Sequence, residues 1–260
     1  MNNAGPLDFL PLWALCLATI AVGFLSVEAG YRLGRRLSSE PETEASVRTM
    51  VAATLGLLAF TLAFTFGLAS SRFDARRQVV QDEANAIRTS HLRSAFLPEP
   101  QRSTIRGLLR EYLEARLEAA QPGKAQQAVV GSQRLHARLW AEAVAAVEKE
   151  PSSVLAGLFV DSLNEIINLH ARRVQATLRS RIPGVIWATL YFAASFSMAG
   201  IGYHLGLTSL RRSPAVVALV LTFSAVMFLI EDLDRPQEGL LRVSQQAMVD
   251  LRNSLGETSR

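Results

Sequence analysis

Phe60 and Phe64 stand four residues apart in an uncharged stretch, with Gly56 one turn before them and Leu68 one turn after. On an α-helix these positions share a face. Two chemistries fit it. The face can pack against another helix, while Thr54, Thr61 and Thr65 form a second stripe whose hydroxyls return to their own backbone. Or it can line a pore, where phenylalanine rings from several subunits make a hydrophobic constriction that gates by dewetting. Just downstream, Arg72, Arg76 and Arg77 gather positive charge. They could hold anionic lipid headgroups or concentrate anions locally. Towards the C-terminus, Glu231, Asp232 and Asp234 form an acidic turn, with Arg235 following at once and no longer acidic run. It reads as a solvated cap on the last apolar stretch, with Asp232 or Asp234 paired to an arginine of the middle region.

Enzymatic chemistry finds no footing. His91, His136, His170 and His204 fall at no metal-ligand spacing, and Cys16, the only cysteine, cannot build a thiolate site. There is no phosphate-binding glycine loop, nucleophile elbow or dinucleotide fingerprint. His170 reads as part of a polar helix face with Asn164, Glu165 and Asn168. His204, after Gly200 and Gly202, sits near enough to the end of an apolar stretch for a neutral ring to reach the interface. No enzyme activity, cofactor or metal is expected.

The elements that carry these residues follow from where charge is missing. Of 260 residues, 27 are Lys or Arg and 23 are Asp or Glu. None of them lies within Phe9–Val27, Met50–Ser71, Gly184–Thr208 or Pro214–Ile230. About 20 apolar residues suffice for a helix to cross the hydrocarbon core. One Arg or Asp at a span centre costs about 2.5–3.5 kcal/mol. The segregation therefore predicts an all-α, four-span helical membrane protein with a helical extramembrane insert between spans 2 and 3. The expected divisions are a first transmembrane pair in 1–71 (spans about 9–28 and 50–71), a helical domain in 72–183, a second pair in 184–231 (spans about 184–208 and 214–231), and a polar tail in 232–260. Residues 1–8 lack the Lys or Arg of a signal-peptide n-region, so the first apolar run is expected to remain as a span.

A charged loop is expected after the first span, from Glu28 to Arg48, with Glu40, Glu42 and Glu44 around Pro41. The second span has no stop signal at its far end, so one long helix should continue to Leu97-Pro98-Glu99-Pro100, where proline breaks it. Ile105, Leu108, Leu109, Tyr112, Leu113 and Leu117 then recur at helical spacing, up to Gln121-Pro122-Gly123. A third helix, about 125–148, offers Val129, Leu135, Leu139, Trp140, Val144 and Val147 as its buried face. A fourth, about 152–181, offers Leu155, Leu158, Phe159, Leu163, Ile166, Ile167, Val174 and Leu178. A tight turn at 210–214 separates the last two spans.

The insert is rich in arginine, with Lys124 and Lys149 as the only lysines. Beside a bilayer this favours anionic lipid as a partner. No basic patch with interleaved aromatics points to nucleic acid. Arginines flanking the spans are more numerous on the side of the insert than at Arg32, Arg35, Arg36, Arg48, Arg211 and Arg212. The insert is accordingly expected in the cytoplasm.

Phe60-Thr61-Leu62-Ala63-Phe64, followed by Ser71-Arg72-Phe73 and Arg77, resembles the second span of bestrophin-type channels. The layout of two spans, helical insert, two spans and acidic turn is similar too. Glu83-Ala84-Asn85-Ala86-Ile87, Leu97-Pro98-Glu99-Pro100, and Asp232-Leu233-Asp234-Arg235-Pro236 with Gly239 look like the recurrent pieces of a bacterial bestrophin-like group. The resemblance implies a passive ion channel built as a homo-oligomer, a pentamer in that family. Phe60 and Phe64 would be its pore neck, and Arg72, Arg76 and Arg77 its exit. Bestrophins with a calcium clasp carry an acidic cluster after the fourth span, which makes Glu231, Asp232 and Asp234 weak Ca²⁺ candidates beside the preferred cap. Two positions depart from the pattern: Gly56 falls where a first neck residue would stand, and Asp74 where a second aromatic would follow. The alternative is a non-conducting membrane scaffold or sensor, whose basic helical domain binds lipid or a protein partner.

Overall fold

The computed structural model describes residues 10–37, 41–121, 123–208, 214–235 and 239–257, without the side chains at 41–44, 125, 178, 179 and 257. The turn expected at 210–214, all but Pro214, thus lies outside the described residues, as do Pro122, Pro236 and the side chain of Leu178. The elements are α1 (Leu12–Arg36), α2 (Pro41–Arg93), a 3₁₀ turn (Ser94–Phe96), α3 (Gln101–Glu118), α4 (Ala125–Lys149), α5 (Val154–Val174) closed by a π-helical turn (Gln175–Arg179), α6 (Gly184–Leu207), α7 (Pro214–Asp234) and α8 (Gln246–Glu257). No strand occurs among the described residues. The protein is all-α, and α1, α2, α6 and α7 are long and apolar enough to cross a membrane.

Two elements run further than charge content suggests. α1 continues past Glu28 to Arg36, helped by an i,i+4 ion pair between Arg32 Nε and Glu28 Oε1 at 2.8 Å. α2 begins at Pro41 rather than Met50, because proline is preorganised for a first helical turn. Most of the charged loop expected before Arg48 is therefore helix.

The chain forms two compact units. One comprises the described residues up to Arg72, those of Arg181–Arg235, and Gly239–Leu241. Its centre is the contact of α1 with α6. Gly30 and Gly34 on α1, and Gly202 and Gly206 on α6, bring the two backbones together. A Cβ on Gly30 would meet the carbonyl of Ala199, and one on Gly202 the carbonyl of Val27. Small residues four apart are the usual means of close helix approach where lipid removes the hydrophobic drive. Gly23 admits Val220 of α7 to the same group.

The second unit takes in the described residues of Phe73–Ser180 and of Arg242–Arg260. Its core joins Ile87 of α2, Ile105, Leu109, Tyr112 and Leu113 of α3, Leu139 of α4, Phe159, Leu163 and Ile166 of α5, and Met248 and Leu251 of α8. α3 buries the stripe its spacing predicts, with Leu117 packed at its margin. α4 does so in part: Leu135 and Leu139 are buried and Val147 packs at the core's margin. Trp140 and Val144 remain 39% and 43% exposed. Ser132, His136, Ala143 and Ala146 complete the buried face instead. Leu155 and Leu158 of α5 are likewise exposed. The tail is not polar throughout: Met248, Leu251 and Leu255 of α8 are buried, and α8 packs on α3.

Candidate functional site

Within α2, Leu58, Thr65 and Ala69 are buried, while Phe60 and Phe64 are 72% and 67% exposed. A side chain added at Gly56 or Gly67 would meet nothing within 4 Å. The phenylalanines and the open glycines thus belong to a face that this chain does not cover. The threonine stripe is satisfied by its own helix: Thr54 donates to Val51 O at 3.0 Å, Thr61 to Leu57 O and Thr65 to Thr61 O, each at 2.8 Å. Hydroxyls bonded in this way leave little unmet polarity on the span.

The three exit arginines are not alike. Arg72 is half-buried, its Nη1 3.8 Å from Asp234 Oδ1. Arg76 is buried, and Arg77 is exposed.

The acidic turn is not a solvated cap, for Glu231, Asp232 and Asp234 are all buried. Their carboxylates go separate ways. Glu231 Oε1 lies 2.7 Å from the Tyr191 hydroxyl. Asp232 accepts the backbone N–H groups of Leu240 at 2.8 Å and Leu241 at 2.9 Å. Gly239 turns beneath it at φ +123°, where a Cβ would strike the Asp232 carboxylate. Asp234 accepts the Ile182 N–H at 3.0 Å. Arg235 donates to the Leu10 carbonyl at 2.8 Å. Among the described residues, no group of three His, Cys, Asp or Glu converges as metal ligands would, and divergent oxygens do not suit Ca²⁺.

A polar centre that spacing did not reveal lies in the helical unit. Glu83 of α2 is fully buried. Its carboxylate meets Arg116 Nε of α3 at 3.0 Å, Arg173 Nη1 of α5 at 2.6 Å and the Tyr112 hydroxyl at 2.6 Å. Arg173 also donates to Gln245, just before α8, at 2.9 Å. Burial alone would raise the Glu83 carboxyl; the two guanidiniums and the Tyr112 hydrogen bond outweigh it and hold the group below the ordinary carboxylate range. Burial, then the Glu83 charge, pushes the Tyr112 hydroxyl well above its usual value. Against Tyr112 lie two imidazoles, His136 at 4.9 Å between ring centroids and His170 a further 4.9 Å from His136. His136 Nε2 and both nitrogens of His170 are buried without a hydrogen-bond partner. Burial, with the charge of Arg116 adding to it, lowers both to about 4. His170 is therefore a core residue, whereas Asn164, Glu165 and Asn168 are exposed. The available signal was register. Glu83 stands in the stripe of Val80, Ala84 and Ile87, and Arg116 in that of Leu109, Tyr112 and Leu113.

Four apolar helices and a helical insert define an integral membrane protein. The chain belongs to the Bestrophin-like family, whose domain matches residues 15–248. Solved structures share the fold. One is a single-residue variant of a bacterial bestrophin homologue from Klebsiella pneumoniae, at 14% identity and a TM-score of 0.69, covering 94% of this chain and 97% of that one. A second variant of that homologue aligns at 15% identity and a TM-score of 0.66, covering 95% and 98%. A structure described as a membrane protein aligns at 14% identity and a TM-score of 0.68, also covering 95% and 98%. No curated protein matches the sequence.

Proposed function

We propose that the protein is a passive ion channel subunit, assembled as a homo-oligomer around α2, with Phe60 and Phe64 as the pore neck. The observation that carries this reading is the uncovered Phe60–Phe64 face, flanked by open glycines, on a helix of membrane-spanning length. Phenylalanines on symmetry-related copies would form rings that exclude water when narrow. Within one subunit α1 and α6 meet backbone to backbone, so a water-filled route belongs between subunits. Five copies, a bacterial inner membrane and a cytoplasmic position for residues 72–183 follow from the family resemblance and the arginine distribution. Arg77, the exposed member of its group, is the residue placed to bias the local ion population towards anions.

Reconstitution into liposomes tests this. Ion flux through the purified oligomer should rise several-fold in Phe60→Ala and in Phe64→Ala. A well-folded oligomer that passes no ion in several salts, wild type and variants alike, refutes the channel and leaves the scaffold. So does a stable monomer in mild detergent, because a single Phe60 closes no ring.

A further inference from the structure

Away from the pore face, α1, α6 and α7 meet at a chain of oxygens. Thr19 Oγ1 lies 2.9 Å from the Leu15 carbonyl and 2.8 Å from the Tyr191 hydroxyl, which lies 2.7 Å from Glu231 Oε1. Each of these O···O separations is that of a hydrogen bond, and each needs one hydrogen. Thr19 and Tyr191 bring one hydroxyl hydrogen apiece. With an ionised Glu231, three contacts would share two hydrogens, and one pair of oxygens would face each other with none. Glu231 Oε2 is, besides, buried and without a partner. That leaves half of a carboxylate's charge unsolvated, a position a buried anion rarely tolerates.

We infer that Glu231 carries its proton and serves as the first donor of a one-way chain, from Glu231 to Tyr191, to Thr19, to the Leu15 carbonyl. The neutral acid supplies the missing hydrogen and removes the unsolvated charge together. The site is thus a proton-binding site whose occupancy ties three spans to one another. The neighbouring groups are few. α1 contributes the Cys16 thiol, near Tyr191. Arg235, just past the end of α7 and one turn on from Glu231, favours the ionised form but donates to the Leu10 carbonyl. Asp232 and Asp234 hold their own backbone N–H donors. Arg72 stands beside Asp234, and Arg181 donates to the Asp234 carbonyl. Loss of the proton removes one link and sets an anion between α6 and α7, so the packing of these helices weakens as the pH rises. The inference holds whether or not the protein conducts.

Infrared spectroscopy of the full-length protein in detergent tests it. At pH 7 the wild type should show the C=O stretch of an un-ionised carboxyl that is missing from Glu231→Gln and fades at alkaline pH. Tyr191→Phe should keep that band but shift it, because its hydrogen-bond acceptor is gone. The glutamine amide can donate where the acid did. Glu231→Gln should therefore fold and show thermal stability that stays level from pH 7 to 10, while that of the wild type falls. Identical spectra for wild type and Glu231→Gln at pH 7 overturn the inference, and so does a band that Tyr191→Phe leaves unmoved.

Discussion

Acid should loosen the helical unit before it protonates Glu83, and His136 and His170 should be the cause. Both imidazoles ionise near 6.5 in an unfolded chain and near 4 in the folded one. The folded state thus binds their protons more weakly than the unfolded state does. Stability is whole above about 6.5 and declines as the pH falls towards 4. At about 1.4 kcal/mol per pH unit, the gap corresponds to about 3 kcal/mol for one ring. Screening by nearby solvent reduces this. The rings are only 4.9 Å apart and titrate as a coupled pair, so their shares do not simply add. Even the single-ring figure is a sizeable part of the roughly 5–15 kcal/mol that holds a domain folded. Glu83 acts in a lower window, since a carboxyl held below its usual range loses its contribution only as the pH drops beneath about 4.3. The assay is denaturant unfolding of the full-length protein in detergent, followed by circular dichroism at steps between pH 7 and 4.5. The wild type should lose stability across that interval, and a His136→Gln, His170→Gln double variant should lose less by about 1–3 kcal/mol. Parallel curves would refute the reasoning, because the remaining carboxylates are common to both proteins.

Glu83→Gln leaves Arg116 and Arg173 buried against a neutral amide and should cost about 3–5 kcal/mol, read as a lower unfolding midpoint of the same helical unit. Gly30→Val drives a branched side chain into the α6 backbone at Ala199 and should lower thermal stability in detergent by about 1–3 kcal/mol or more. Gly56→Ala, with open space around it, should be neutral or slightly stabilising, so equal losses at the two glycines would contradict the placement of α1 against α6. Leu251→Ala, at a fully buried position on α8, should cost about 2–5 kcal/mol; a null effect in chemical unfolding would mean that α8 does not belong to the core.

Much of this architecture is legible in the sequence because it is written in long runs. Four uncharged stretches outlast any accident of composition, and α3 repeats its apolar residues often enough to declare its buried face. What is carried by single residues is harder to see. On α4, Ser132, Ala143 and Ala146 pack beside Leu135 and Leu139, and neither alanine nor serine is marked by hydrophobicity, so the larger Trp140 and Val144 draw the eye off the buried face. α8 has only Met248, Leu251 and Leu255 to show for its docking. Glu83 finds its partners on α3 and α5, and no spacing within one helix announces a contact made across three.

Glu231 illustrates the same limit most directly. Charge content ends the fourth apolar run at Ile230, which makes the next residue look like the start of a solvated cap. The helix, however, continues to Asp234, and helical period rather than charge decides where the next side chain faces. Val220, Ser224, Met227, Glu231 and Asp234 are spaced four, three, four and three apart, and all are buried. That stripe is the seam α7 presents to its neighbours. A carboxyl at a seam position must find a donor, accept a cation or keep its proton. Around Glu231 the partners at hand are two hydroxyls already committed to a chain, and this leaves the proton as the means by which an acidic residue can occupy an apolar seam.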